Sequence, residues 1–267
     1  MHTFCRASLN YARDGGPAPT VVEIRDGRRA DLPGWQACGF ELVQHPSAVA
    51  DWDDDAEVTA VHHAEVEALA RTMTGADVAL VSSHIRRSPQ SVRQHQDLSP
   101  ITFVHSDFAA GQELIRTNYL NRRPGTEVAL ERNATTVDQV RDAPRVVILQ
   151  FWRNLGPAKM DHPLAFCDAR SVSVDQGMPI HVENYGGTGA TFDALALLAP
   201  DDDTSHEWYA FPELLPAEAV AFRTYDTDLV SRGEVYFTPH SAFRDPDVEV
   251  GKPARVSIET RATCLFL

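Results

Sequence analysis

From residue 101 to the C-terminus, short apolar and β-branched segments recur between Gly, Pro and Asp turns. That pattern restricts the chain to a mainly β architecture. Strands are expected at 101–105, 145–152, 164–174, 179–184, 191–198, 207–211, 220–225, 234–238 and 255–267. Helical pieces are expected at 111–120 and 212–219. So many strands separated by turn signals predict a sandwich or a double-sheet jelly roll. Upstream, 20–24 and 40–43 read as strands. Val58, Val61, Val66, Leu69 and Met73 form a helical stripe over 56–73, closed by Gly75, and this helix is expected to pack outside one sheet. A further strand is expected at 77–82. The organisation expected is one domain: an N-terminal extension, 1–55, packed on a jelly-roll core, 56–267.

The net charge of −14 argues against a nucleic-acid footprint, which needs a basic face. No apolar run approaches the roughly 18 residues that a membrane span requires, and the first residues, MHTFCRASLNYARDGG, show no apolar signal region. Cys5, Cys38, Cys167 and Cys264 have no metal-type spacing and read as reduced thiols of a cytoplasmic protein.

Four His-x-acid pairs occur: His63/Glu65, His95/Asp97, His105/Asp107 and His181/Glu183. On a strand, residues i and i+2 share a face, roughly 6–7 Å apart, and can aim at one ion. On a helix the same spacing splays them by about 200°. His63/Glu65 lies in the predicted helix, and His95/Asp97 lies in a polar stretch with no strand to hold it. His181/Glu183 sits on a predicted strand and competes with His105/Asp107, which ends an apolar run. A third ligand must come from a distant segment: His240, with His206 and His162 as alternatives. Two imidazoles and one carboxylate on one face of an octahedral metal, three positions left open, are the ligand set of non-haem Fe(II) oxygenases.

The segment after His240 bears on the same chemistry. Arg255, Ser257, Glu259 and Arg261 alternate with Val256 and Ile258, so a strand would carry a polar, ionic face. Such a face is either exposed to solvent or lines a pocket that binds an anion. Arg pairs with a carboxylate through two hydrogen bonds, and Ser adds a donor. Arg255-x-Ser257 is the pattern that capture of 2-oxoglutarate requires.

The chain resembles the oxidoreductases grouped with the cephalosporin 7α-methoxylase small component and the gibberellin-desaturase-like proteins. That family is similar to Fe(II)/2-oxoglutarate-dependent oxygenases of secondary metabolism. The resemblance rests on Gly75-Ala76, Val104-His105-Ser106-Asp107-Phe108, Phe151-Trp152-Arg153, Pro163 to Val172, His206 to Pro212, Tyr225 to Asp228, Pro239 to Pro246 and Arg255 to Arg261, in the family's order. It departs after Trp152-Arg153, where the family usually has Pro and this chain has Asn154.

The resemblance implies a double-stranded β-helix core with His105, Asp107 and His240 on iron. It implies Arg255, helped by Ser257, on the cosubstrate carboxylate. Fe(II), 2-oxoglutarate and O2 are the expected cofactors. Oxidation of a small molecule by hydroxylation, desaturation or cyclisation is the expected reaction. Asn118, Tyr119, Arg122, Trp152, Arg153 and Arg261 are candidate substrate contacts. Two other readings stay open: a cupin-like metalloenzyme that does not use 2-oxoglutarate, and a non-catalytic binding or accessory subunit. A homodimer or a partner enzyme is compatible with each.

Overall fold

The computed structural model describes residues 2–13, 16–109, 119, 125–200 and 206–267. Its strands run in chain order as β1 (Thr3–Arg13), β2 (Gly16–Asp26), β3 (Phe40–Gln44), β4 (Val78–Leu80), β5 (His84–Arg87), β6 (His105–Ser106) and β7 (Arg145–Asn154). There follow β8 (Leu164–Cys167), β9 (Gly177–Tyr185), β10 (Ala190–Leu197), β11 (Trp208–Ala210), β12 (Glu218–Asp226), β13 (His240–Ala242) and β14 (Ser257–Phe266).

One sheet has the order β1-β2-β11-β8-β13-β6-β10-β9; the other has β3-β12-β7-β14-β4, with β5 also paired to β14. All pairings between these strands are antiparallel except β2 with β11. The sheets face each other as a jelly roll, in accord with the sequence. Phe222 of the second sheet packs on Phe166 of the first, with ring centroids 5.0 Å apart.

Alternation along β7 and β14 sorts their side chains. Val146, Ile148 and Leu265 turn inward to the main core. Val147, Leu149, Ala262 and Cys264 turn outward. Against that outer face lies the predicted helix, a turn at Asp55–Glu57 running through a π segment, Val58–His62, into His63–Thr74. Val66 and Ala70 pack on Ala79, Val147 and Ala262. Gly75 ends the helix in the left-handed conformation, φ 72°, which a side chain would strain.

Several expectations fail. Residues 234–238 make no ladder, because Gly233 turns the chain at φ 68° and Pro239 has no N–H to give. Tyr236 and Phe237 are buried in irregular backbone instead. No helix forms over 212–219: Pro212 and Pro216 flank turns, Glu213 sits at φ 54°, and Glu218 already starts β12. The strand expected at 164–174 stops at Cys167, where Asp168 caps a 3-10 turn, Ala169–Ser171. The helix expected at 111–120 lies outside the described residues except for Tyr119. The strand β1 and the helices Thr126–Arg132 and Val137–Asp142 form where the sequence pattern predicts no element. Residues 1–55 supply strands to both sheets, β1 and β2 to one and β3 to the other. No helix among the described residues is long and apolar enough to cross a membrane.

Candidate metal centre and anion pocket

His105 opens β6 and His240 opens β13, and the two are partners across an antiparallel ladder. Directly opposed residues share a face, so the rings meet, with centroids 4.3 Å apart. Asp107 follows two residues after His105 and turns to the same side. One ligand-type atom from each of His105, Asp107 and His240 lies within 4.8 Å of the others, and all three residues are buried. Among the described residues this is the sole such cluster.

Hydrogen bonds select the free atoms. Nδ1 of His105 lies 2.7 Å from the Phe103 carbonyl, and Nδ1 of His240 lies 3.0 Å from the Thr238 carbonyl. A carbonyl can only accept, so each Nδ1 carries the proton and each Nε2 keeps its lone pair. Arg261 Nη2 sits 3.1 Å from Asp107 Oδ1, while Asp107 Oδ2 is buried without a hydrogen-bond partner. Burial pushes His105 down to about 4, reinforced by neighbouring His240, and burial lowers His240 as well. Burial alone would raise Asp107, but Arg261 and the two imidazoles outweigh it and hold the carboxyl below its usual range. At neutral pH the cluster therefore presents two neutral imidazoles and one carboxylate, the forms that bind metal. Phe222 packs on His240, with centroids 4.7 Å apart, and walls off one side.

The polar face of β14 is interior. Ser257 and Glu259 are buried, as are Gln150 and Trp152 on the same side of β7. Glu259 is engaged: Arg87 Nη2 donates to Oε1 at 2.7 Å and Gln150 Nε2 to Oε2 at 3.4 Å. Arg87 also donates to the Tyr185 hydroxyl and to two backbone carbonyls.

Arg255, just before the strand, differs. Its Nε donates to Ser257 Oγ at 2.8 Å, its guanidinium lies 5.1 Å from the centre of the Trp152 ring, and its Nη1 is buried without a partner. No described carboxylate comes within ion-pair distance of it. Burial, then repulsion from Arg87, pushes it down to about 9. A buried cation with an unused donor is costly unless an anion completes it. This orphaned atom fits the carboxylate of a cosubstrate, and the three free ligand atoms of the cluster fit a divalent metal.

The other candidates divide. Trp152 faces the interior. Arg153 lies opposite Ile258 on the outer face of the sheet, where it donates to the Pro216 and His45 carbonyls, so it does not line the pocket. The alternation of β7 itself forces this, since neighbouring residues point to opposite faces. Tyr119 is packed in the main core, its hydroxyl 3.5 Å from the Leu80 carbonyl. Arg261 is committed to Asp107. Asn118 and Arg122 lie outside the described residues.

The competing histidines are engaged elsewhere. His181 is exposed and bonds Asp193. His206 bonds Tyr11 and Gln176. His162 contacts Asp161. Sequence reasoning missed Arg87, Gln150, Phe222 and Thr238. Gln150 carried a signal, a lone amide inside an apolar run and in phase with Trp152; the other three carried none.

Residues 6–265 match the family model described as Oxidoreductase/YMDC permease-like domain, and the chain belongs to that family. Similar proteins include the alpha-ketoglutarate-dependent dioxygenase phiK of Fungal sp., 28% identical over 251 residues, covering 92% of this chain and 83% of that protein. The hydroxylase/desaturase CTB9 of Cercospora beticola is 27% identical over 240 residues, covering 84% and 69%. Among solved structures, the iron and alpha-ketoglutarate-dependent endoperoxidase NvfI shares the fold, with a TM-score of 0.75, 22% identity, and 99% and 98% of the two chains covered.

Proposed function

We propose that this chain is an Fe(II)/2-oxoglutarate-dependent oxygenase that tailors a small-molecule intermediate of secondary metabolism. The observation that carries the reading is a pair of buried features in the interior, the first on β6 and β13 of one sheet and the second just before β14 of the other. A His–Asp–His cluster keeps three ligand atoms free, and a buried guanidinium lacks an anion. His105, Asp107 and His240 would hold the metal, and Arg255 with Ser257 would receive the distal carboxylate of 2-oxoglutarate. When bound, Fe(II) with 2-oxoglutarate and O2 supplies the oxidising chemistry for hydroxylation, desaturation or ring closure. The chain's own part is to fix the ligands' tautomers through the Phe103 and Thr238 carbonyls, to orient the keto acid through Arg255, and to keep water out with Trp152 and Phe222. The relatives named as dioxygenases and hydroxylase/desaturases support the same class.

The chain acts as one domain, with residues 1–55 an extension stitched into both sheets. Its four free cysteines suit a cytoplasmic location. Solution mass, measured with and without substrate extract, decides between a monomer, a homodimer and reliance on a partner enzyme.

The test is anaerobic addition of 2-oxoglutarate to Fe(II)-loaded protein. A new visible absorption band that is absent from Asp107→Ala is the expected result. A wild-type protein that gives no band, or gives the same band as Asp107→Ala, overturns the reading.

A further inference from the structure

Arg261 lies on β14, six residues beyond Arg255, which precedes the strand, and the two guanidiniums are used differently. Glu259, the acid between them, has both oxygens engaged by Arg87 and Gln150. Arg261 is thereby left to Asp107, whose Oδ1 it meets at 3.1 Å. The two oxygens of Asp107 become inequivalent: one is held by a cation, and the other is buried and free. A carboxylate that bound a metal through both oxygens would consume a position that a two-His-one-carboxylate site otherwise leaves open.

We propose that Arg261 is a positioning residue that reserves one oxygen of Asp107, so that this carboxylate offers a metal a single bond. The proposal rests on the reading of the cluster as a metal site. It assigns Arg261 a role through Asp107 rather than through substrate, and it gives the Arg87–Glu259 pair a purpose, which is to keep Glu259 from competing for Arg261. Phe108 supports the arrangement, its ring centre 6.0 Å from the Arg261 guanidinium.

The probe is Co(II), whose visible spectrum reports coordination number, applied to wild type, Arg261→Gln and Asp107→Ala. Arg261→Gln is expected to bind Co(II) with an altered visible spectrum. Its Co(II) form should bind 2-oxoglutarate about 10- to 100-fold more weakly, the range typical of groups that orient a ligand. A folded Arg261→Gln with the wild-type spectrum and wild-type 2-oxoglutarate affinity overturns the proposal. Failure of the underlying metal reading shows differently: wild type takes up no Co(II), or Asp107→Ala takes it up equally well. Should Arg261→Gln not fold, the metal-induced infrared difference spectrum of the wild-type carboxylates decides. A two-oxygen signature overturns the proposal, and a one-oxygen signature upholds it.

Discussion

His105 and His240 face each other across neighbouring strands and are held in the same way, each donating Nδ1–H to the carbonyl two residues before it. The repeated local geometry points both Nε2 atoms at one volume, with Asp107 Oδ2 completing the set. Replacing either histidine or Asp107 by Ala should weaken Co(II) or Mn(II) binding by more than about 100-fold, beyond the loss expected for residues that only orient ligands. Isothermal titration under anaerobic conditions measures it. Near-wild-type affinity in any of the three variants removes that residue from the ligand set.

Arg255 is a cation kept underground without an anion, so it should trade stability for binding. Arg255→Met should melt at or above the wild-type temperature in the absence of cosubstrate. Its requirement for 2-oxoglutarate should rise on the order of 30-fold or more, as for truncation of a buried charge pair. Calorimetry and steady-state titration give the two numbers. A less stable variant with an unchanged requirement for 2-oxoglutarate contradicts the assignment.

Glu67 ties the outer helix to the sheet. Arg132 Nε and Nη2 reach its carboxylate at 2.7 and 2.6 Å, and the Val81 amide donates to it at 2.8 Å. Arg132→Ala should cost about 3–5 kcal/mol, because it strands a buried carboxylate. The double variant Glu67→Gln/Arg132→Ala should recover part of that loss. Urea unfolding of the three variants checks this, and additive losses would show that the pair is not coupled.

Acid should loosen the same region. His62 and His63 are buried, and burial pushes them down to about 2 and about 3, with Arg153 also acting on His62 and His84 on His63. Glu65 lies 3.6 Å from His62, outside hydrogen-bond range, and serves Ser47 and Ala48 instead, so burial wins. Both folded values lie below the unfolded value near 6.5. The unfolded chain therefore binds more protons as pH falls. Their contribution to stability is full above about pH 6.5 and is lost progressively toward pH 3. Urea midpoints at pH 7.5 and pH 5 should differ less in His63→Gln than in wild type; equal differences would clear His63 of the effect.

Much of the site was legible because its chemistry depends on short-range spacing. His105-x-Asp107 and Arg255-x-Ser257 are i, i+2 pairs at strand ends, His105 in β6 with Asp107 just past it and Ser257 in β14 with Arg255 just before it, so the short spacing keeps each pair together. The break at Gly233 and Pro239 was printed in the sequence too, but the apolar run 234–238 outweighed it. Buried irregular backbone and buried strand leave the same apolar trace.

The sequence by itself determined the residue types, the two local pairs and the mainly β pattern, since these follow from chemistry and from a period of two. Tertiary structure alone decided that His240, rather than His206 or His162, faces His105, because strand order and register are settled by long-range packing. It also decided which charges meet. Glu259 was free to pair with any nearby guanidinium until β5 brought Arg87 alongside, and that choice left Arg261 to Asp107 and Arg255 with an open hand. Ion pairing acts over a few ångströms, so its outcome is fixed by neighbours that the linear chain keeps far apart.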